Sequence, residues 1–551
     1  MLYLRRFLSQ FFLIISFFDC EVLGIITNFQ NQKIEKFLQN SHNTKEKYIN
    51  LKSKFGDDLQ GLRLSNIELH NIDFSGIDLS NAVFSNVQIH NSKFENLNLN
   101  NVLFSNVEFY QVNFTNTKAS SLKIEFSKIS NSFFFQCNFE NSTFITNKIF
   151  DVYFDSLYSF NNLFQDNQFL KSCIEKSYFE FTKFYKIFFD QQLINSSKFL
   201  SSSFENNDFQ KNTKIIGNVF SYSFFKNNFF KKNAIENSEF FRCYLDHVNF
   251  LETNILGSKF HFSRFYSLKL VNSDITDSNF VKDFFYDSSL ESLQMTNSSF
   301  IDSEIFSSNL KSNFIKQSKI FNTYFIHSNL LSNKYFDTNF SKSFFQNSFI
   351  QYSQFQNIDF TGTSFLNTNL GFSQFLKSRF FSTAFFNSDW QELIISESEI
   401  LKSQINSLNI SNTEIKESSF SSNIVINTMD QENIFDQIAS NTQDILSKKD
   451  LKEFNLDFLD FSKKTIEECN FENTSIRYSN FFSSNIISSV FYNSEMVFSN
   501  FFLVKISNSD IDYDNVHYNI FLLTDFSNVD LHKVNFLLQN KQNSTYIEKY
   551  E

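Results

Sequence analysis

Every fifth residue of this chain is hydrophobic over most of its length. The series opens Leu59, Leu64, Leu69, Phe74, Leu79, Phe84, Ile89, Phe94, Leu99, Phe104 and runs to Phe209, interrupted by Ser159 and the small Ala119. It restarts one residue out of phase at Phe220 and continues unbroken to Val425. A third run goes from Leu456 to Phe536. With 42% hydrophobic residues overall, chance does not produce such runs. The period matches neither a helix, at about 3.6, nor a flat strand, at about 2, so the pattern predicts a solenoid.

The position two before each hydrophobic residue carries a second signal. It is usually small or polar, as at Ser238, Cys243, Thr253, Ser258, Ser278 and Ser298, and large only occasionally, as at Leu268, Leu293, Ile358, Leu393 and Leu408. Each unit therefore reads small, polar, large, any, any. The runs Ser278-Asn279-Phe280, Ser308-Asn309-Leu310, Thr338-Asn339-Phe340 and Ser479-Asn480-Phe481 carry it clearly. This resembles the pentapeptide-repeat family, whose unit is Ala-Asp/Asn-Leu-x-x. Phe replaces the preferred Leu here, and Ser or Thr the preferred Ala.

The resemblance implies an all-β solenoid, a right-handed quadrilateral β-helix with four units and twenty residues per coil. Steps of twenty support that coil length independently. One column reads Phe240, Phe260, Phe280, Phe300, Ile320, Phe340, Phe360, Phe380, and another Leu270, Leu290, Leu310, Leu330, Ile350, Leu370. Stacked rungs place like on like. The predicted core includes Phe74, Phe94, Phe240, Phe260, Phe280, Phe300, Leu310, Leu330, Phe340, Phe360, Phe471 and Phe491. Phe260, Phe280 and Phe300 are expected to stack along one wall, with Ser258, Ser278 and Ser298 inward beside them.

The pattern also sets the organisation. Residues 1–24 read as a signal-like hydrophobic segment: Arg5 and Arg6 precede an apolar run from Phe7 to Phe18 that is too short for a comfortable membrane span. A hydrophobic cap on the rod is the other reading. Residues 25–58 form a polar, partly helical cap region, with Phe29, Ile34, Phe37 and Leu38 at helical spacing. The β-helix occupies 59–425, with a one-residue phase shift near 211–217 that a corner bulge would absorb. Residues 426–452 read as a helical insertion or a hinge, with Asp430 capping a helix through Ser447 and Ile434 and Ile438 on one side. Repeats resume over 453–537, and 538–551 is a polar tail.

Composition narrows the chemistry. Gly (8) and Pro (0) are scarce and Phe (81) abundant, a bias that fits a strongly A+T-rich genome. Net charge is −11, from 48 basic and 59 acidic residues without a run of like charge. A basic nucleic-acid footprint is missing, as are a Gly-rich phosphate loop and zinc spacing of Cys and His. Cys137, Cys243 and Cys469 occupy the small inward position, where they serve as small hydrophobes. Cys173 is expected to face out. His70 and His90 lie one coil apart on the outer surface, but no third ligand is evident beside them, so no metal is assigned. No catalytic residue and no cofactor site is assigned either, and an enzyme is not expected.

The function expected is that of a non-enzymatic structural or protein–protein interaction scaffold presenting long flat faces. The alternative is a DNA mimic that modulates a type II topoisomerase, as some members of the resembled family do. Phe241, Phe381, Phe386, Phe482 and Phe502, each one residue after a core position, are candidate surface contacts, as are Ile434 and Ile438. The partner expected is a protein of unknown identity; direct nucleic-acid binding is not expected. The N-terminal segment points to the secretory pathway or a membrane-associated location, and to the cytoplasm if it is a cap. Oligomeric state stays open.

Overall fold

A computed structural model describes residues 31–39, 48–406, most of 409–430 and 451–511, and short stretches at 446–447, 516–517 and 525–527. Segments 1–24 and 538–551, with Ile434 and Ile438, lie outside the described residues. The chain divides into two units, Met1–Lys269 and Leu270–Glu551. Each is a parallel β-solenoid with very little helix.

The first unit opens on its cap. A helix over 31–39 buries Ile34 and Leu38 and half-buries Phe37, three of the four residues its spacing singled out; Phe29 lies outside the described residues. Strand Ile49–Asn50 then pairs in parallel with Ile72–Asp73, so the cap region already contributes a rung. A short helix, Leu51–Phe55, follows directly. The Asn50 side chain caps it by accepting from the Ser53 N–H at 2.9 Å, and Gly56, at φ 89°, ends it. Phe55 meets Phe37 edge-on, with centroids 5.3 Å apart.

From Arg63 onward the chain repeats three-residue strands separated by two-residue corners. The middle residue of each strand points in and its neighbours point out, as strand alternation requires. Pairing is parallel and joins residues twenty apart: Asn113 faces Phe133, which faces Tyr153. Inward Phe rings therefore stack directly along the axis. Phe74 and Phe94 lie 4.6 Å apart, and Phe114 and Phe134 lie 4.5 Å apart and nearly parallel. These separations are close to the strand spacing of about 4.8 Å, so the ladder sets the ring stack. Phe240 and Phe260 stack in the same way at 4.6 Å.

The phase shift is a corner insertion. Pairing goes from steps of twenty to twenty-one at Leu193–Lys214 and Ser203–Phe224, then returns to twenty at Lys214–Ala234. The extra residue sits in the exposed turn at Lys211–Asn212, and the interior resumes at Thr213 and Ile215.

The second unit contains two stretches of solenoid. In the first, Phe280 and Phe300 stack at 4.7 Å, Phe340 and Phe360 at 5.4 Å, and Leu310 and Leu330 are paired and buried. In the second, Phe471 and Phe491 stack at 4.5 Å. The helix expected from Asp430 to Ser447 is not present at either end. Met429–Asp430 is a strand on Asn409–Ile410, and Leu446–Ser447 is a strand on Ile466–Glu467.

The two stretches touch within this unit. Arg477, on the second, is buried, and its guanidinium donates to the Gly362 carbonyl at 3.1 Å and the Ser364 hydroxyl at 2.9 Å on the first. Tyr478 stacks on Phe344 at 5.2 Å.

Candidate functional site

Three kinds of position build each coil, and each has its own chemistry. The inward large residues are buried: Phe74, Phe94, Phe240, Phe260, Phe280, Phe300, Leu310, Leu330, Phe340, Phe360, Phe471 and Phe491 all lie in the interior. They hold the walls and offer nothing to a ligand.

The small inward residues do more than leave room. The backbone N–H of Ser278 donates to the Ser298 hydroxyl at 3.0 Å, and Ser308 N–H donates to Ser328 at 3.3 Å. The same hydroxyls donate to carbonyls of the neighbouring coil, as Ser328 does to Ile305 at 2.9 Å. Asn at this position reaches further. The Asn147 backbone N–H donates to Asn167 Oδ1 at 2.8 Å, its own Oδ1 accepts from the Ser127 N–H at 2.9 Å, and its Nδ2 donates to the Ile124 carbonyl at 2.9 Å. Buried Ser, Thr and Asn thus satisfy backbone groups that the corners strip from the ladder.

The position two after the core residue is the corner, and its φ is positive in coil after coil, as at Asn66, Asn86 and Asn106 (54°, 54° and 55°). Left-handed backbone costs a non-glycine residue roughly 1–2 kcal/mol, and Asn tolerates it best. Stacked corner amides offset part of that cost. Asn86 donates to Asn66 at 3.2 Å and Asn106 to Asn86 at 2.7 Å. The sequence reading left this position unassigned; its Asn content is the signal that would have found it.

Thiol chemistry is suppressed. Burial pushes the Cys137 thiol up to about 12 and Cys173 up to about 11. Cys173 faces outward beside the inward Ile174, as alternation requires, and is half-buried there. Cys243 and Cys469 are buried.

The aromatic surface candidates are half-buried: Phe241, Phe381, Phe386, Phe482 and Phe502 all sit on the outer face but pack along it. Phe482 and Phe502 stack on each other at 5.7 Å, and Arg379 covers Phe381 at 5.0 Å. The more exposed rings lie one residue further on, at the corners. In the first unit one corner column carries Phe181, Tyr222, Arg242 and Phe262, with the three rings 53%, 52% and 45% exposed. The Arg242 guanidinium lies 5.7 Å from Tyr222, 5.8 Å from Phe262 and 5.4 Å from Phe241. Tyr222, Phe241 and Phe262 thus gather around one cation, and Ser201, the corner residue between, separates them from Phe181 on the same ridge.

A second outer cluster lies on the first coils. Strands Glu68–His70 and Gln88–His90 are in register, and the His70 and His90 rings stack at 4.7 Å. Glu68 Oε1 is 2.6 Å from His70 Nε2 and 3.9 Å from His90 Nε2. Burial, with His70 beside it, holds the His90 imidazole below its usual value. Glu68 is the third ligand type that the sequence reading did not find. It stands two before His70, where strand alternation puts both side chains on one face.

Pentapeptide repeats match the chain in 8 copies, over residues 58–96 and 84–118. This chain is a pentapeptide-repeat protein. Solved structures to which the chain is similar include HetL, a pentapeptide repeat protein involved in heterocyst differentiation regulation from the cyanobacterium Nostoc. It is 13% identical, spanning 40% of this chain and 89% of that one, with a TM-score of 0.19. QnrB1, a plasmid-mediated fluoroquinolone resistance protein, is 12% identical over 31% of this chain and 81% of its own, with a TM-score of 0.18. The alginate lyase AlyGC is 10% identical over 86% of this chain and 97% of its own, with a TM-score of 0.21. At such identities none of these lends the pentapeptide-repeat chain an activity. No curated protein matches it.

Proposed function

We propose that this pentapeptide-repeat protein is a non-enzymatic scaffold that binds another protein along the corner ridge of its first unit. The ridge of Phe181, Tyr222, Arg242 and Phe262 carries the reading. Exposed aromatic rings grouped with an arginine have the composition of interface hot spots. The stacked ladder beneath holds these side chains in fixed order, so little conformational freedom is lost on docking.

The rival reading, a DNA mimic acting on a type II topoisomerase, needs dense charge of one sign. Here many outer carboxylates are interleaved with lysines: Lys128 pairs with Glu108 at 2.7 Å, Lys183 with Glu205 at 3.0 Å, and Lys377 with Glu397 at 3.3 Å.

The test is affinity capture from the native source, comparing wild type with a Tyr222→Ser/Phe262→Ser variant of unchanged circular dichroism. A partner retained by the first and lost by the second is expected. Equal retention by both proteins, or no retained partner under native conditions, removes the ridge as the site. Inhibition or protection of gyrase supercoiling at micromolar protein would favour the mimic instead.

A further inference from the structure

We propose that Glu68, His70 and His90 form a binding site for one divalent transition-metal ion, of the class of Zn²⁺, on the outer face of the first two coils. The argument starts from the ladder. Alternation puts the Glu68 and His70 side chains on one face of their strand, and parallel register puts His90 beside His70. The backbone spacing is set by a continuous sheet, so the three residues are held together without a bound ion to gather them.

The distances suit a shared ion. The three ligand atoms lie within 4.8 Å of one another. Ligands on a tetrahedral zinc, at about 2.0–2.1 Å from it, stand roughly 3.3 Å apart. Rotating solvent-facing side chains by an ångström or so closes that difference, and neither backbone needs to move.

Ligand type points the same way. Two imidazoles and one carboxylate suit zinc and its neighbours rather than calcium or magnesium, which prefer all-oxygen shells. Three protein ligands leave a fourth position for water or for an incoming carboxylate or imidazole. Glu108, the next acidic group along the column, is engaged by Lys128 at 2.7 Å. The Gln88 amide oxygen, 3.4 Å from the same His90 Nε2, gives up that contact when the nitrogen takes the ion.

The test uses the full, untagged chain. Zn²⁺ is titrated calorimetrically into wild type, Glu68→Gln, His70→Ala, His90→Ala and, as a distant control, His247→Ala. Co²⁺ is added in parallel as a spectroscopic probe. One ion per site is expected in wild type and in the control, with the intense visible bands of four-coordinate Co²⁺. Each histidine variant should bind about tenfold more weakly or worse and lose those bands. Zn²⁺ should also slow amide exchange in strands Glu68–His70 and Gln88–His90 in wild type alone. These side chains are solvent-facing, so the variants should melt as wild type does without metal. The proposal is overturned by an absence of saturable Zn²⁺ binding below ~100 µM, or by binding that survives in the His70→Ala/His90→Ala double variant.

Discussion

One outward column of the second unit has two fates. At Phe284, Glu304 and Tyr324 its side chains lie at least partly in solvent, while at Phe344, Ser364, Ala384 and Gln404 they are buried. The strands of the column are the same in both places, three residues long and in parallel register, but the corners ahead of Phe344 and Ser364 are tighter turns, closed by Ser343 N–H on the Phe340 carbonyl and Thr363 N–H on the Phe360 carbonyl, each at 3.1 Å. The covering differs. Arg477 and Tyr478 of the second stretch lie against Phe344 and Ser364. Where the column is covered, the long charged residue gives way to Ser and Ala. The repeat decides which way a side chain points, and the neighbour decides what that side chain can be.

The interior sets the scale for breaking this contrast. Phe280→Ala should cost about 3–5 kcal/mol, because the cavity sits between stacked rings. Ser278→Phe should cost a comparable amount through overpacking, and should also remove the hydroxyl from its ladder. Asn279→Ala, one position outward, should stay under about 1 kcal/mol. Denaturant melts of the three variants check the order; equal costs would contradict the inward and outward assignment.

The covered part of the column tests the contrast directly. Ser364→Lys puts a second cation beside the buried Arg477 guanidinium and should cost about 3 kcal/mol or more. It should also raise amide exchange across residues 471–491. The same lysine at Glu304 should change stability by no more than about 0.5 kcal/mol. If both behave alike, the second stretch does not cover this face in solution.

Smaller effects sharpen the picture within the interior. Asn333→Ala removes a donor to the Leu310 carbonyl at 2.8 Å and an acceptor for the Asn313 N–H at 2.9 Å, and should cost about 1–3 kcal/mol. Tyr335, stacked on Phe355 at 4.8 Å, is held well above the usual phenol range by burial. Tyr335→Phe should therefore fall within about 1 kcal/mol of wild type. Thermal melts under one buffer condition rank the two. At the bottom of the scale, Cys137 should resist alkylation in the folded protein at pH 8, read by mass spectrometry, since its thiol is pushed up to about 12.

The inward column was legible because one residue type recurs at fixed spacing, and Phe240 and Phe260 needed only counting. Ser278 was legible as small, but its hydroxyl ladder was not, since that depends on where a corner leaves an N–H. The Asn66, Asn86 and Asn106 corner was visible as composition and hidden as conformation. Glu68 was missed because His70 and His90 were searched by type rather than by strand face. The contact of Arg477 with Ser364 joins residues 113 apart, and no local pattern announces it. The helix expected from Asp430 to Ser447 lies outside the described residues except at its two ends, where Asp430 and Ser447 each stand on a ladder rung.

The extra residue at Lys211–Asn212 has a consequence for how such a chain can change through evolution. An added residue within a three-residue strand would turn its side chains inside out and spoil the rungs on both sides. At the corner it makes one loop of the spiral longer and leaves the next in step. Tolerance to insertion and deletion is thus concentrated at short, regularly spaced points. A lineage can lengthen one coil there without rewriting the others. Numbering can drift between relatives while the architecture stays aligned.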